Sequence, residues 1–117
     1  MKVVVYHNQN CGTSRKVLGQ LRERGLEPEV IEYLKTPPTR ADMRRLLKDM
    51  SMKPRDILRP RTALHDQLGL ENPALSDEAL LDALEAYPIL MERPIVVSPK
   101  GTRVCRPAER LNEIVPL

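Results

Sequence analysis

Phenylalanine and tryptophan are absent, and three tyrosines bring the aromatic content to only 3%. The core must therefore be built from Leu, Val, Ile and Met, and the stacking platforms that read single-stranded nucleic acid are missing. Cysteine is equally scarce. Two residues cannot make a disulfide framework, and neither a four-Cys nor a Cys/His zinc spacing is present, so no metal site is expected. No apolar run approaches the length of a membrane span. The apolar stretch near the start, residues 3–6, is too short for a signal peptide and is followed by no small-residue cleavage site. Nor is one sign of charge in large excess: 19 Lys+Arg face 16 Asp+Glu, for a net charge of +3. That is a mild bias toward anions, well short of the basic stripe of a nucleic-acid binder. Neither nucleic acid nor a membrane is expected as a partner. The simplest expectation is a cytoplasmic protein, in a compartment that keeps thiols reduced.

What is present suits one domain. The chain has 117 residues, 41% of them hydrophobic and 30% charged, enough to bury a core. Eleven prolines, about twice the average usage, punctuate it heavily and predict short helices. Residues 3–6 are a β-branched run, as for a strand buried on both faces. A polar loop leads to Cys11-Gly12, and a helical pattern opening at Thr13 or Ser14 carries Val17, Leu18 and Leu21 as far as Gly25. Residues 29–33 read as a second strand, so the first third is a βαβ unit with parallel strands. After Pro37-Pro38, Thr39 and Asp42 make a capping sequence, and Met43, Leu46, Leu47 and Met50 fall on one helical face. Pro54 starts a further short helix, and Ser76-Asp77-Glu78 starts another that Pro88 ends. Residues 94–97 and 102–105 form a hairpin around Pro99-Lys100-Gly101, and Pro107 opens a final helix with Leu111, Ile114 and Val115 apolar. The expected architecture is α/β: one four-stranded mixed sheet, βαβ plus ββα, flanked by helices. Its parts are a βαβ half (1–36), a helical insertion (37–88) and a ββα half (89–117), together a single domain.

Cys11 stands after a strand and immediately before a helix. Unpaired helix N–H groups and the positive end of the helix dipole stabilise a thiolate there, and Gly12 lets the backbone come close to an anion. A drop of about two units from the ordinary pKa of ~8.5 makes thiolate the majority species at neutral pH. The competing reading is a small apolar residue closing a strand; the polar neighbours favour the reactive one. His7, four residues earlier, either supports the thiolate as an imidazolium or fixes the loop. Ser14 caps the helix or donates to the thiolate, capping being the simpler reading. The Cys-Gly-Thr-Ser-Arg run is not a phosphatase Cys-x5-Arg loop, because Val17 occupies that arginine position. It is not Cys-x-x-Cys either, because Ser14 replaces the second cysteine. One active thiol must then be regenerated by an outside thiol or by Cys105. Arg59, Arg61, Arg93 and Arg106 all neighbour prolines, and planar guanidinium forks converging on Cys11 would hold a tetrahedral oxyanion.

Together, His7-Asn8-x-x-Cys11-Gly12-Thr13-Ser14-Arg15, Tyr33-Leu34-x-Thr36-Pro37-Pro38-Thr39-Arg40, Arg93-Pro94-Ile95-Val96-Val97 and Cys105-Arg106-Pro107 resemble the glutaredoxin-dependent arsenate reductase (ArsC) family. The resemblance runs in register over essentially the whole chain. It implies a thioredoxin-like fold with a helical insertion, and reduction of arsenate to arsenite with glutathione as co-substrate and glutaredoxin as partner. It makes Cys11 the nucleophile, His7 the residue lowering its pKa and Ser14 the support of the thiolate. Arg59, Arg93 and Arg106 become the oxyanion-binding trio, with Gly12, Thr13 and Arg15 beside them, and Arg93-Pro94 a cis peptide. No bound cofactor and no metal are implied, and a monomer is expected. The chain departs from the family pattern at Gln9-Asn10, where Pro-Ala is usual, and at Pro60-Arg61, which leaves two candidate arginines in that loop. Two other readings belong to different classes: a non-enzymatic Spx-like regulator that binds RNA polymerase, normally carrying Cys-x-x-Cys, and a phosphatase.

Overall fold

The computed structural model describes residues 1–60 and 62–117. Arg61, one of the arginines singled out above, lies outside them. The chain divides into two units, Met1–Thr36 with Arg93–Leu117, and Pro37–Glu92.

The first unit is built on a four-stranded sheet. Its strands are β1 (Val4–His7), β2 (Glu29–Glu32), β3 (Ile95–Ser98) and β4 (Gly101–Val104), in spatial order β2-β1-β3-β4. β1 and β2 are parallel, with Val5 opposite Val30, as a βαβ crossover requires. β3 runs antiparallel to β1, Val5 opposite Val96, and pairs with β4 as a hairpin. This is the expected mixed sheet. Helix α1 (Gly12–Glu23) connects β1 to β2. Val3 and Val5, two apart on a strand and so on one face, pack with Val96, with Val17 and Leu21 of α1, and with Leu111, Ile114 and Val115. Ile95 and Tyr6, on the opposite face, are buried as well, consistent with strands covered on both sides. β2, one of the two edge strands, carries glutamates at both ends, a charged edge that discourages pairing with another chain.

Helix α1 ends where Gly25 takes a φ of 80°, a conformation that a side chain strains. The Gly25 N–H donates to the Arg22 carbonyl and the Leu26 N–H to that of Leu21, which folds Leu26 back onto the core. The last element differs from expectation. Residues Ala108–Glu113 form a 3-10 helix, not an α-helix, with the apolar positions buried as anticipated. Its hydrogen bonds span three residues, from Arg110 N–H to the Pro107 carbonyl and from Ile114 N–H to that of Leu111, which is the tighter turn. The Arg93-Pro94 peptide is cis as expected, and so is Arg106-Pro107.

The second unit is mainly helical: α2 (Arg40–Met50), a 3-10 turn at Pro54–Ile57, α3 (Ala63–Gln67), α4 (Asp77–Ala86) and a further 3-10 turn at Pro88–Leu90. Thr39 and Asp42 form the anticipated reciprocal cap, and Ser76 accepts the Ala79 N–H at the start of α4. Arg40 of α2 reaches Glu78, Asp82 and Glu85 of α4, tying the two helices together across their exposed edge. The unit also contains one short antiparallel pairing that the helical pattern hid. Leu58 bridges Met91, flanked by Arg59 N–H to Leu90 C=O and Glu92 N–H to Ile57 C=O, each 2.7 Å. Residues 89–92 therefore belong with the helical unit.

Candidate active site

Cys11 occupies the N-cap of α1, with extended backbone angles and no capping bond from its side chain. The first α-helical hydrogen bond runs from Arg15 N–H to the Cys11 carbonyl, 3.0 Å. The N–H groups of Gly12, Thr13 and Ser14 accordingly have no carbonyl partner within the helix. The helix thus starts one or two residues before Thr13 or Ser14, the expected opening positions.

Cys11 is only 7% exposed. Burial alone pushes its pKa up, but the Ser14 backbone N–H, hydrogen bonds from Arg93 and Arg106, and the Arg93 charge outweigh it, leaving the thiol below its ordinary value. The Arg106 Nη1 atom lies 3.6 Å from Sγ. Arg93 is itself 8% exposed, a buried guanidinium beside a sulfur that gains from being negative. Two of the three expected arginines therefore meet the thiol. Arg93 comes from the segment entering β3, and Arg106 from the segment between β4 and the 3-10 helix.

Ser14 reaches the sulfur through its main chain, not its hydroxyl. Its Oγ accepts the Asn8 N–H at 3.1 Å and lies 2.6 Å from His7 Nδ1. Gln9 Oε1, 2.8 Å from Nε2, can only accept, so the neutral ring carries its proton on Nε2 and Nδ1 accepts from the Ser14 hydroxyl. The capping role expected of Ser14 is thus corrected: a buried hydroxyl with two loop partners does not turn to the helix N-terminus. His7, 2% exposed, is bound into this network through both ring nitrogens. The loop-fixing reading of His7 is the one the geometry matches.

Neighbouring residues complete the loop, some of which sequence reasoning left without a role. Asn8 Oδ1 accepts the Asn10 N–H, and Asn8 Nδ2 donates to the Tyr33 hydroxyl at 3.4 Å. Cys11 N–H in turn donates to the Asn8 carbonyl, 3.0 Å. Polar residues packed between a strand end and a cysteine were the available signal. Arg15 is exposed, with Nη1 donating to the Gln9 carbonyl at 2.8 Å, so it straps the loop from outside. A Cβ on Gly12 would meet nothing nearer than Arg15 Nη2 at 3.9 Å, so the protein's own packing does not demand glycine here. Thr13 lies in the first turn, half-buried.

Arg59 lies in the helical unit, held by its N–H bond to Leu90, with Nε 3.6 Å from Glu92 Oε1. Cys105 is fully buried among Val96, Leu111 and Ile114, and burial pushes its thiol up to about 12. Such a thiol is protonated and inert at neutral pH.

A mixed four-stranded sheet with a cysteine at the start of its first helix, its thiol shifted below the ordinary pKa and two guanidinium groups beside the sulfur, marks a thioredoxin-like protein with a thiolate-stabilising site. Comparison narrows this: the ArsC family profile matches residues 6–114, and the chain belongs to the ArsC family. It is 47% identical over 116 residues to an arsenate reductase of Rhizobium meliloti, covering 99% of this chain and 83% of that one. Against an arsenate reductase of Escherichia coli K12 the identity is 46%, over 97% of this chain and 81% of the other. A solved structure described as an arsenate reductase from Vibrio cholerae superposes with a TM-score of 0.94 at 40% identity, over 98% of both chains.

Proposed function

We propose that the protein reduces arsenate to arsenite through a covalent adduct on Cys11, with glutathione and glutaredoxin as reductants. The observation that carries this reading is the Cys11 sulfur, stabilised as thiolate by the Ser14 N–H with Arg106 3.6 Å away and Arg93 alongside. Two guanidinium groups and open helix N–H groups suit a tetrahedral oxyanion and would hold its charge while sulfur attacks. The relatives named as arsenate reductases support the choice of arsenate over other oxyanions.

Arsenate docks against Arg93, Arg106 and the N–H groups of Gly12 and Thr13, with arsenic facing sulfur. The thiolate attacks arsenic, an As–O bond breaks, and water leaves with the proton balance met by the bound oxyanion, giving a Cys11–S–As(V) ester. Glutathione replaces a second hydroxyl as water, leaving arsenic joined to two sulfurs. The glutaredoxin thiolate then attacks the glutathione sulfur, forming a mixed disulfide. The electron pair of the broken As–S bond stays on arsenic, which becomes As(III). Water hydrolyses the remaining bond, releasing arsenite and regenerating Cys11. The family pattern adds Arg59 to the oxyanion site, and an Arg59→Ala substitution that left the KM for arsenate unchanged would remove it. Neither metal nor bound organic cofactor takes part in these steps.

The test is arsenate-dependent NADPH oxidation with purified glutathione, glutathione reductase and glutaredoxin. Turnover in the native protein and none in Cys11→Ser is the expected result. Full activity in Cys11→Ser, or no arsenate-dependent oxidation by the native protein, would refute the scheme.

A further inference from the structure

The helical unit gathers a second set of ligand-bearing side chains that this reaction does not use. Helix α3 is short and begins with Thr62 Oγ1 accepting the His65 N–H at 3.1 Å. Just beyond it Gly69 adopts a φ of 64°. The Gly69 N–H donates to the Asp66 carbonyl and the Leu70 N–H to the His65 carbonyl, so the chain doubles back over the helix it has just left. That reversal delivers Glu71 to His65. Glu71 Oε2 lies 3.4 Å from His65 Nδ1, and Asp66 Oδ1 lies 3.9 Å from it. One ligand atom from each of the three lies within 4.8 Å of the others. Arg55 grips the same loop through the carbonyls on either side of Glu71, donating to Leu70 at 2.8 Å and Asn72 at 2.9 Å.

The imidazole supplies the independent sign of a ligand. His65 is 7% exposed, and its buried Nδ1 has no hydrogen-bond partner among the described residues. Buried polar atoms are rarely left so, because the lost hydration is not recovered. Here two carboxylates stand 3.4 and 3.9 Å from the atom without hydrogen bonding to it. A cation among them would take up the nitrogen lone pair and offset both negative charges. Ligand atoms ~2.0–2.2 Å from a tetrahedral zinc ion lie ~3.3–3.5 Å apart. The 3.4 Å between His65 Nδ1 and Glu71 Oε2 already meets that spacing. The Asp66 side chain is 69% exposed, so water, not packing, surrounds it and it is free to rotate inward, closing the 3.9 Å to His65 and a separation from Glu71 of at most 4.8 Å.

We propose that His65, Asp66 and Glu71 form a site for a divalent first-row cation, zinc above all, with water completing the coordination. One imidazole and two carboxylates suit zinc better than calcium or magnesium, which prefer all-oxygen sites. A bound ion would pin the α3 loop onto its own helix.

The chain holds only two histidines, His7 and His65, so imidazole nitrogen NMR separates this site from the catalytic loop. Zinc chloride is titrated into full-length Cys11→Ser protein, which removes the reactive thiolate as a competing ligand. The His65 Nδ1 resonance should move and saturate at one zinc per chain while His7 stays in place. Glu71→Gln, a change at an exposed side chain, should weaken binding at least ~10-fold. A His65 resonance indifferent to millimolar zinc, as for a plain His65–Glu71 ion pair, overturns the proposal. So does zinc affinity undiminished by both Glu71→Gln and Asp66→Asn.

Discussion

Two opposing influences meet at the Cys11 sulfur, and their sources can be separated by substitution. Arg106 acts through its side chain, Ser14 through its backbone N–H. Arg106→Ala should therefore move the thiolate titration, followed by ultraviolet absorbance, upward toward the ordinary cysteine value. Ser14→Ala keeps the N–H and should leave that midpoint nearly in place. It strands the Asn8 N–H and His7 Nδ1 in a buried site instead, so its cost appears as lost stability, about 2 kcal/mol in urea unfolding. A Ser14→Ala midpoint shifted as far as that of Arg106→Ala would show that the hydroxyl serves the sulfur after all. Cys11 was legible from its place between a strand and a helix. The service Ser14 performs was not, because cap preference is a local rule and the hydroxyl answers to partners at positions 7 and 8.

Helices α1, α2 and α3 end in the same way, with a residue in the left-handed conformation and a doubled-back hydrogen bond. Glycine fills that position in α1 and α3, but α2 uses Ser51, with a φ of 56°. An L side chain there costs about 1–2 kcal/mol, part of which glycine's freer unfolded chain returns. Ser51→Gly should raise the thermal midpoint modestly, by up to about 1 kcal/mol of stability, and Gly25→Ala should lower it by about 1 kcal/mol. Differential scanning calorimetry reads both, and a stabilised Gly25→Ala would contradict the assignment. The α2 boundaries were readable because the Thr39–Asp42 cap and the Met43, Leu46, Leu47 stripe are local. The Leu58–Met91 bridge was not: its two strands are a residue or two long and 33 positions apart, without alternation to betray them. The terminal 3-10 helix carries the apolar spacing of an α-helix, and only its hydrogen bonds between residues three apart, which spacing does not reveal, distinguish the two.

For the whole molecule, the two thiols pull the pH dependence of stability in opposite senses. The lowered Cys11 pKa contributes stability that is present above the unfolded value of ~8.5 and lost as pH falls through the folded one. The raised Cys105 pKa does the reverse. Its contribution is complete below ~8.5 and lost as pH climbs toward about 12. Between about pH 9 and pH 10.5, urea unfolding should show stability declining with a share from Cys105 of up to ~1.4 kcal/mol per pH unit. Cys105→Ala should flatten that decline and retain arsenate turnover; a variant that stalls after one cycle would instead make Cys105 the resolving thiol. The strand order carries a consequence of another kind. β1 lies between β2 and β3, and Arg93 and Arg106 also follow the helical insertion, so the sulfur leaves the ribosome long before its guanidinium neighbours. At ~5–20 residues per second, the interval between positions 11 and 106 lasts roughly 5–20 s. Through that interval the nascent chain has at most the Ser14 N–H to favour its thiolate, and full reactivity toward electrophiles waits until translation has delivered the cationic partners.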